Sequence, residues 1–104
     1  VYIRDKIRLG GKTAFSRREL SQILSIYGTR VQQGAWRDYA IDSTADMAVF
    51  SIFRSAHELP LYSVVKISGK SLIKPSQYAV RSGNKTLIQS ASLRDVLDFL
   101  EGQA

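Results

Sequence analysis

Residues 15–34 constrain the fold most, because they carry a complete helix start, an apolar stripe and a helix stop. Ser16 and Glu19 have the spacing of a capping box, in which each side chain accepts a hydrogen bond from the other residue's backbone N–H. Gly34 predicts a left-handed helix end, and Gly28 within the helix predicts a close packing contact. Apolar side chains recur at helical spacing at Leu20, Ile23, Leu24, Tyr27 and Val31. The segment therefore predicts a helix that buries one face.

The segments on either side of this helix have the patterns of strands. Residues 1–9 alternate between apolar and mainly cationic side chains, which predicts a strand with a cationic outer row. Residues 38–42 alternate as well and predict a half-exposed strand. Residues 47–53 are apolar on both faces, as in a strand covered on both sides. We expect this last segment to be the middle strand of the sheet.

The second half of the chain predicts three more strands and another helix. A strand at residues 61–67 follows Pro60, and strands at 78–81 and 86–89 flank a Ser-Gly-Asn turn typical of a hairpin. Ser92 then predicts the cap of a closing helix, followed by apolar residues at helical spacing.

The order of these elements predicts a single domain over residues 1–104. Short connections between consecutive strands favour antiparallel pairing. We therefore predict an α+β fold: an antiparallel sheet of about five strands in a meander, with two capped helices packed on one face.

Composition and motifs argue against an enzyme. The chain has no cysteine and one histidine, so it offers neither a thiolate metal site nor a cysteine nucleophile. Gly11-Lys12-Thr13 and Gly69-Lys70-Ser71 resemble the end of a P-loop, but Lys6 and Val64 occupy the positions where that motif needs glycine. We expect no catalytic residue, no metal and no cofactor.

No apolar run approaches the roughly 20 residues that span a bilayer. Residues 1–9 lack the uninterrupted apolar core of a signal peptide. These observations predict a soluble, cytoplasmic protein with no membrane partner.

Positive charge is concentrated in two blocks. Residues 1–18 and residues 63–91 each carry a net charge of +5, in a chain whose total is +6. Clustered positive charge favours an anionic partner, most often nucleic acid. We predict a domain that binds nucleic acid or a ribonucleoprotein, although a basic surface that serves solubility alone is the alternative. The predicted contacts are Arg4, Lys6, Arg8, Lys12, Arg17, Arg18, Lys70, Lys74, Arg81 and Lys85.

An aromatic and charged cluster, Trp36, Arg37 and Tyr39, follows the first helix. Such a cluster can form a hot spot for a protein partner or a stacking platform for bases. The competing interpretation is structural: Trp36 covers the helix end, where a fold needs an anchor. A protein-interaction subunit that uses this region is the alternative function.

One stretch of the chain resembles a known family. The pattern YG…G-WRDYAID…AVFS-FR…PLY, within residues 15–66, is similar to a small family of uncharacterised, mainly alphaproteobacterial proteins that contain a domain of unknown function. The resemblance implies a bacterial-type cytoplasmic protein. It implies no reaction, cofactor or active-site residue.

Overall fold

In the residues that this computed structural model describes, five antiparallel strands form one open sheet and two helices accompany it. The structure describes residues 12–55, 59–69 and 76–103. Helix α1 spans Arg17–Gln32 and helix α2 spans Leu93–Glu101. The strands are β1 (Asp38–Ser43), β2 (Met47–Phe53), β3 (Tyr62–Ile67), β4 (Gln77–Ser82) and β5 (Lys85–Ser90). The predicted α+β class and the five-stranded antiparallel sheet are confirmed. The strand predicted at residues 1–9 lies outside the described residues.

The strand order is β1-β2-β3-β4-β5, so each strand pairs with its sequence neighbour. Among the described strands β3 is therefore the middle one, and the expectation that residues 47–53 would occupy that place is wrong. Four of the seven residues of β2 are buried. A strand needs only a paired strand on each side and helices over one face to reach this burial, so an apolar sequence does not require the middle position.

Helix α1 begins as predicted. The Glu19 N–H donates to Ser16 Oγ at 3.1 Å, and the Ser16 N–H donates to Glu19 Oε1 at 2.7 Å, which completes the capping box. The helix stops before Gly34, whose φ of 78° lies in the left-handed region that favours glycine. The predicted contact at Gly28 is wrong for the described part of the chain, because a Cβ built there meets none of its atoms within 4 Å.

Helix α2 starts differently from the prediction. The Ser92 side chain makes no capping hydrogen bond. Ser90 acts instead: its Oγ accepts from the Ser92 N–H at 3.0 Å and donates to Asp95 Oδ2 at 2.8 Å. The last residue of β5 therefore holds the start of the helix.

The core lies between the helices and one face of the sheet. Phe50 of β2, Val64 of β3 and Val80 of β4 stand side by side on that face, because the register pairs them directly. All three are fully buried. Facing them are Ile23 from α1 and Val96, Leu97 and Leu100 from α2.

Both helices run in the same direction across the sheet. The sheet has two ends along the strand direction. We call the end with the β1–β2 turn (residues 44–46) the proximal end, and the end with the β4–β5 turn (residues 83–84) the hairpin end. The chain enters α1 at the proximal end, where the Thr13 N–H donates to the Thr44 carbonyl at 2.7 Å. At the hairpin end the Arg30 side chain donates to the backbone carbonyl of Glu101, so the C-termini of the two helices meet.

Candidate functional site

Four cationic residues, Arg37, Arg54, Arg81 and Lys85, lie at the hairpin end of the sheet. We call them the cationic end. Neighbouring strands run in opposite directions, so β1 and β5 begin at the hairpin end, and β2 and β4 finish there. The Arg37 N–H donates to the Phe53 carbonyl at 2.8 Å, which places it beside Arg54.

A shallow depression of about 250 Å³ joins the two sides of the cationic end. Its lining includes Arg54 on one side and Ser82 on the other, and Ser82 pairs with Lys85 in the β4–β5 ladder. Leu59 also lines it, with 87% of its surface exposed. Arg54 and Ser82 therefore line a common hollow that has the exposed apolar side chain of Leu59 beside it.

No carboxylate among the described residues pairs with the cationic end. Within the described part of the chain, the ion pairs are Lys66–Glu19 and Arg94–Asp98, and neither involves these four residues. Asp38 is the carboxylate nearest in sequence, and its Oδ1 accepts the Tyr39 N–H at 2.8 Å.

The predicted nucleic-acid contacts fall into two separate groups. Lys12, Arg17 and Arg18 lie at the proximal end with the first turn of α1, whereas Arg81 and Lys85 lie at the hairpin end. A strand of six residues separates them by roughly 20 Å. The other predicted contacts, Arg4, Lys6, Arg8, Lys70 and Lys74, lie outside the described residues.

The predicted partner-binding cluster divides as well. Trp36 is 1% exposed and packs between the rings of Tyr27 and Tyr62. It is a core residue and cannot touch a partner from that position. Arg37 is exposed, and Tyr39 is 41% exposed while its ring stacks on Phe50 with centroids 4.9 Å apart.

The densest side-chain network in the described structure joins Glu19, Lys66 and Tyr78. Lys66 Nζ donates to Glu19 Oε1 at 2.9 Å and to the Ala14 carbonyl at 3.0 Å, and the Tyr78 hydroxyl donates to Glu19 Oε2. The network ties the first turn of α1 to β3 and β4. Because Lys66 and Tyr78 both donate to the Glu19 carboxylate, we assign the network to stability.

The network shifts two ionisations. Burial acts to raise the pKa of Glu19, but hydrogen bonds from Tyr78, the Ser16 N–H and Lys66, together with the lysine charge, outweigh it and lower that pKa below the usual range. Burial, followed by the hydrogen bond and charge of Glu19, raises the pKa of Tyr78 well above its ordinary value.

The sequence patterns did not predict two features of this region, the Glu19–Lys66–Tyr78 network and the position of Arg54. The Glu19–Lys66–Tyr78 network joins residues 47 and 59 positions apart, and no periodicity signals such a contact. The position of Arg54 could have been predicted from the sequence. Arg54 follows β2 directly, and in a meander β2 finishes at the same end of the sheet as β4, where Arg81 and Lys85 lie.

The described ranges contain no cluster of three or more His, Cys, Asp or Glu side chains placed to bind a metal ion. None of the helices in those ranges has the length and apolar character needed to cross a bilayer.

The fold and surface of the described residues define a small α+β domain with a five-stranded antiparallel meander, two helices on one face and the cationic end. The chain belongs to the family described as protein of unknown function (DUF2794), whose model matches residues 13–97. No curated protein and no solved structure matches the chain. The predicted membership of a family of unknown function is thereby confirmed, while the alphaproteobacterial origin and the motif stay predictions.

Proposed function

We propose that this domain is a non-enzymatic binding module for nucleic acid, and that it contacts phosphates through the cationic end. One observation carries the proposal. The strand register brings the four residues of the cationic end, Arg37, Arg54, Arg81 and Lys85, to the same end of the sheet, and no carboxylate in the described structure pairs with them. Arginine and lysine side chains supply most phosphate contacts in protein–nucleic acid complexes.

The hollow lined by Arg54 and Ser82 suits an extended nucleic-acid strand. Positively charged grooves follow a phosphate backbone: Arg54 lines this hollow, Lys85 pairs with Ser82 of its wall, and Leu59 adds an exposed apolar surface. The proposal implies no binding of a defined sequence, because phosphate contacts carry no sequence information.

The test is fluorescence anisotropy with labelled single-stranded and duplex probes over a series of salt concentrations. Each phosphate contact releases counterions, so affinity must fall as salt rises. In the double variant Arg54→Gln/Lys85→Gln we expect weaker binding to all probes and a salt slope smaller by about 1 for each contact removed.

A matched control is Lys12→Gln/Arg18→Gln, which removes the same charge from the proximal end. This variant should bind nearly as well as the unmodified chain. Equal losses in both double variants would show that overall charge alone attracts the probe, and an absence of salt-sensitive binding at low ionic strength would refute the proposal.

A protein-interaction subunit is the second candidate, and one observation favours it. Val31, Tyr39 and Ile41 are each at least 40% exposed, near the C-terminal half of α1 and on β1. Affinity capture with the unmodified chain and with Val31→Glu tests this function, and an identical set of captured proteins would count against it. Trp36→Ala is unsuitable, because it would disrupt the core.

A further inference from the structure

A second hollow lies at the hairpin end, where α1 finishes. Its volume is about 410 Å³, and the described residues that line it are Val31, Gly34, Trp36 and Arg37. Val31 is 40% exposed and Arg37 is exposed, whereas Trp36 is 1% exposed. This hollow, which we call the Trp36 hollow, therefore presents an apolar side chain and a cation, and a buried indole forms part of its wall.

The hollow lined by Arg54 and Ser82 has a similar composition, and we call it the Leu59 hollow. Its lining includes Leu59 as an exposed apolar side chain and Arg54 as an exposed cation. Each hollow thus combines apolar surface with one arginine. These are the two chemistries that recognise the base and the phosphate of a nucleotide.

Two contacts place the hollows side by side. The Arg37 N–H donates at 2.8 Å to the carbonyl of the residue before Arg54. The Trp36 ring packs against the ring of Tyr62, with centroids 6.5 Å apart, and Tyr62 directly follows Leu61 of the Leu59 hollow. One strand spacing is about 5 Å, so the backbones of Arg37 and Arg54 lie next to each other where the two hollows meet.

The size of the hollows limits what they can hold. Pockets that enclose a whole drug-sized molecule measure about 300–1,000 Å³. The Trp36 hollow, at about 410 Å³, lies near the lower end of that range, and the Leu59 hollow, at about 250 Å³, lies below it. Each hollow suits one base of a longer chain better than a complete ligand.

Charge assigns different parts of a nucleotide to the arginines and to the Trp36 hollow. No carboxylate among the described residues pairs with Arg37 or Arg54, and two neighbouring cations attract an anion. The Trp36 hollow lies at the C-terminal end of α1, where the helix dipole carries partial negative charge. A phosphate is disfavoured inside it, whereas a base is uncharged and can present amino donors.

We propose that the cationic end binds single-stranded nucleic acid, with one base in each hollow and a phosphate at Arg37 and Arg54. This inference rests on the proposed function and adds to it the class of nucleic acid. In a duplex the bases are paired and stacked, so they reach the hollows only after the duplex opens locally, at a cost in pairing and stacking energy. The hollows therefore select a strand whose bases are free.

The test compares three labelled probes of equal length by fluorescence anisotropy: a mixed-sequence single strand, a strand of abasic nucleotides, and a duplex. All three present phosphates, and only the first presents free bases. The mixed-sequence single strand should bind at least five times more tightly than either comparison probe at the same salt concentration.

Failure of this inference differs from failure of the proposed function. A smaller preference over either comparison probe, with affinities that fall as salt rises, would overturn the single-strand inference and leave phosphate binding intact. An absence of salt-sensitive binding to any probe would refute the proposed function, and the inference with it.

Variants of the exposed apolar residues test the hollows directly. Val31→Ser and Leu59→Ser change side chains that are 40% and 87% exposed, so both variants should fold. Each should weaken binding of the single strand at least threefold and leave binding of the abasic strand unchanged. Met47→Ser is the matched control, because Met47 is 38% exposed and begins β2 at the proximal end. Unchanged single-strand affinity in either hollow variant, or an equal loss in Met47→Ser, would overturn the assignment of bases to the hollows.

Trp36 provides a second measurement, because it is the single tryptophan of the chain and lines its hollow. An unlabelled single strand should change the Trp36 emission as it saturates the protein, since a base in the hollow lies against the indole. The abasic strand should saturate the protein at low salt without that change. Constant emission during saturation by the single strand, or an equal change with the abasic strand, would contradict a base in this hollow.

Discussion

Lys66 in the middle strand and Glu19 in the first turn of α1 lie 2.9 Å apart, and each side chain is 15% exposed. The same carboxylate accepts the Ser16 N–H and the Tyr78 hydroxyl. One side chain therefore caps the helix and attaches it to two strands of the sheet.

Glu19→Ala should lower the free energy of unfolding by about 2–3 kcal/mol. Breaking a buried ion pair costs about 3–5 kcal/mol, and the remaining solvent contact reduces that cost. Urea denaturation measures the change. Asp98→Ala is the control: Asp98 forms a 4.0 Å pair with Arg94 while both side chains stay exposed, so it should lose no more than about 0.5 kcal/mol. Similar losses in the two variants would refute the assignment.

Stability should fall in acid more steeply than in the Glu19→Gln variant. The folded state lowers the pKa of Glu19, so its contribution is present above the ordinary glutamate pKa of about 4.3 and is lost as pH falls through the lower folded value. Urea midpoints between pH 6 and pH 2 report the difference. Parallel curves for the unmodified chain and the variant would contradict it.

The stability contribution of Tyr78 depends on pH in the opposite direction: it is lost as the pH rises. Its folded pKa is raised, so its contribution is present below the ordinary tyrosine pKa near 10 and is lost as pH rises above it. Tyr78→Phe should be less stable than the unmodified chain at neutral pH, and the gap should narrow above pH 10. Thermal melts at pH 7, 9 and 11 measure the gap, and a constant gap would show that Tyr78 does not titrate with folding.

Trp36 should report folding by its fluorescence. It is the single tryptophan of the chain and is 1% exposed, so we expect blue-shifted emission that iodide barely quenches. Its Nε1 has no hydrogen-bond partner among the described residues, so Trp36→Phe removes an uncompensated polar group and should cost less than Trp36→Ala, which should lose about 3–5 kcal/mol. Strong iodide quenching of the native protein would contradict this burial.

Two glycines should respond in opposite directions to alanine. Gly28→Ala adds a methyl group to a helix in open space and should stabilise the protein by about 0.5–1 kcal/mol. Gly34→Ala places a side chain at a φ of 78° and should destabilise it by about 1 kcal/mol. Thermal melts of the two variants provide the comparison, and a shift of the same sign in both would refute it.

Local patterns predicted most of the elements. The Ser16–Glu19 spacing, the left-handed Gly34 and the turn at Gly83 each depend on a few adjacent residues, so their physical causes can be read directly. Gly28 shows the limit of this approach. A glycine within a helix is expected to mark a close contact, and here it faces open space.

The candidate site was predicted less completely, because it depends on topology. Arg81 and Lys85 were identified by charge, whereas Arg54 joins them only through the strand register. Trp36 combined an aromatic ring with neighbouring charges, a composition shared by binding hot spots and by core anchors. Its burial depends on Tyr27 and Tyr62, which the local sequence does not place around it.

The meander has a consequence for how the chain folds. Each strand pairs with its sequence neighbour, so the sheet closes short loops at small entropic cost. The bonds from Glu19 to Lys66 and Tyr78 span 47 and 59 residues. The hairpins are therefore expected to form first, and the docking of α1 is the slow, non-local step that completes the native state.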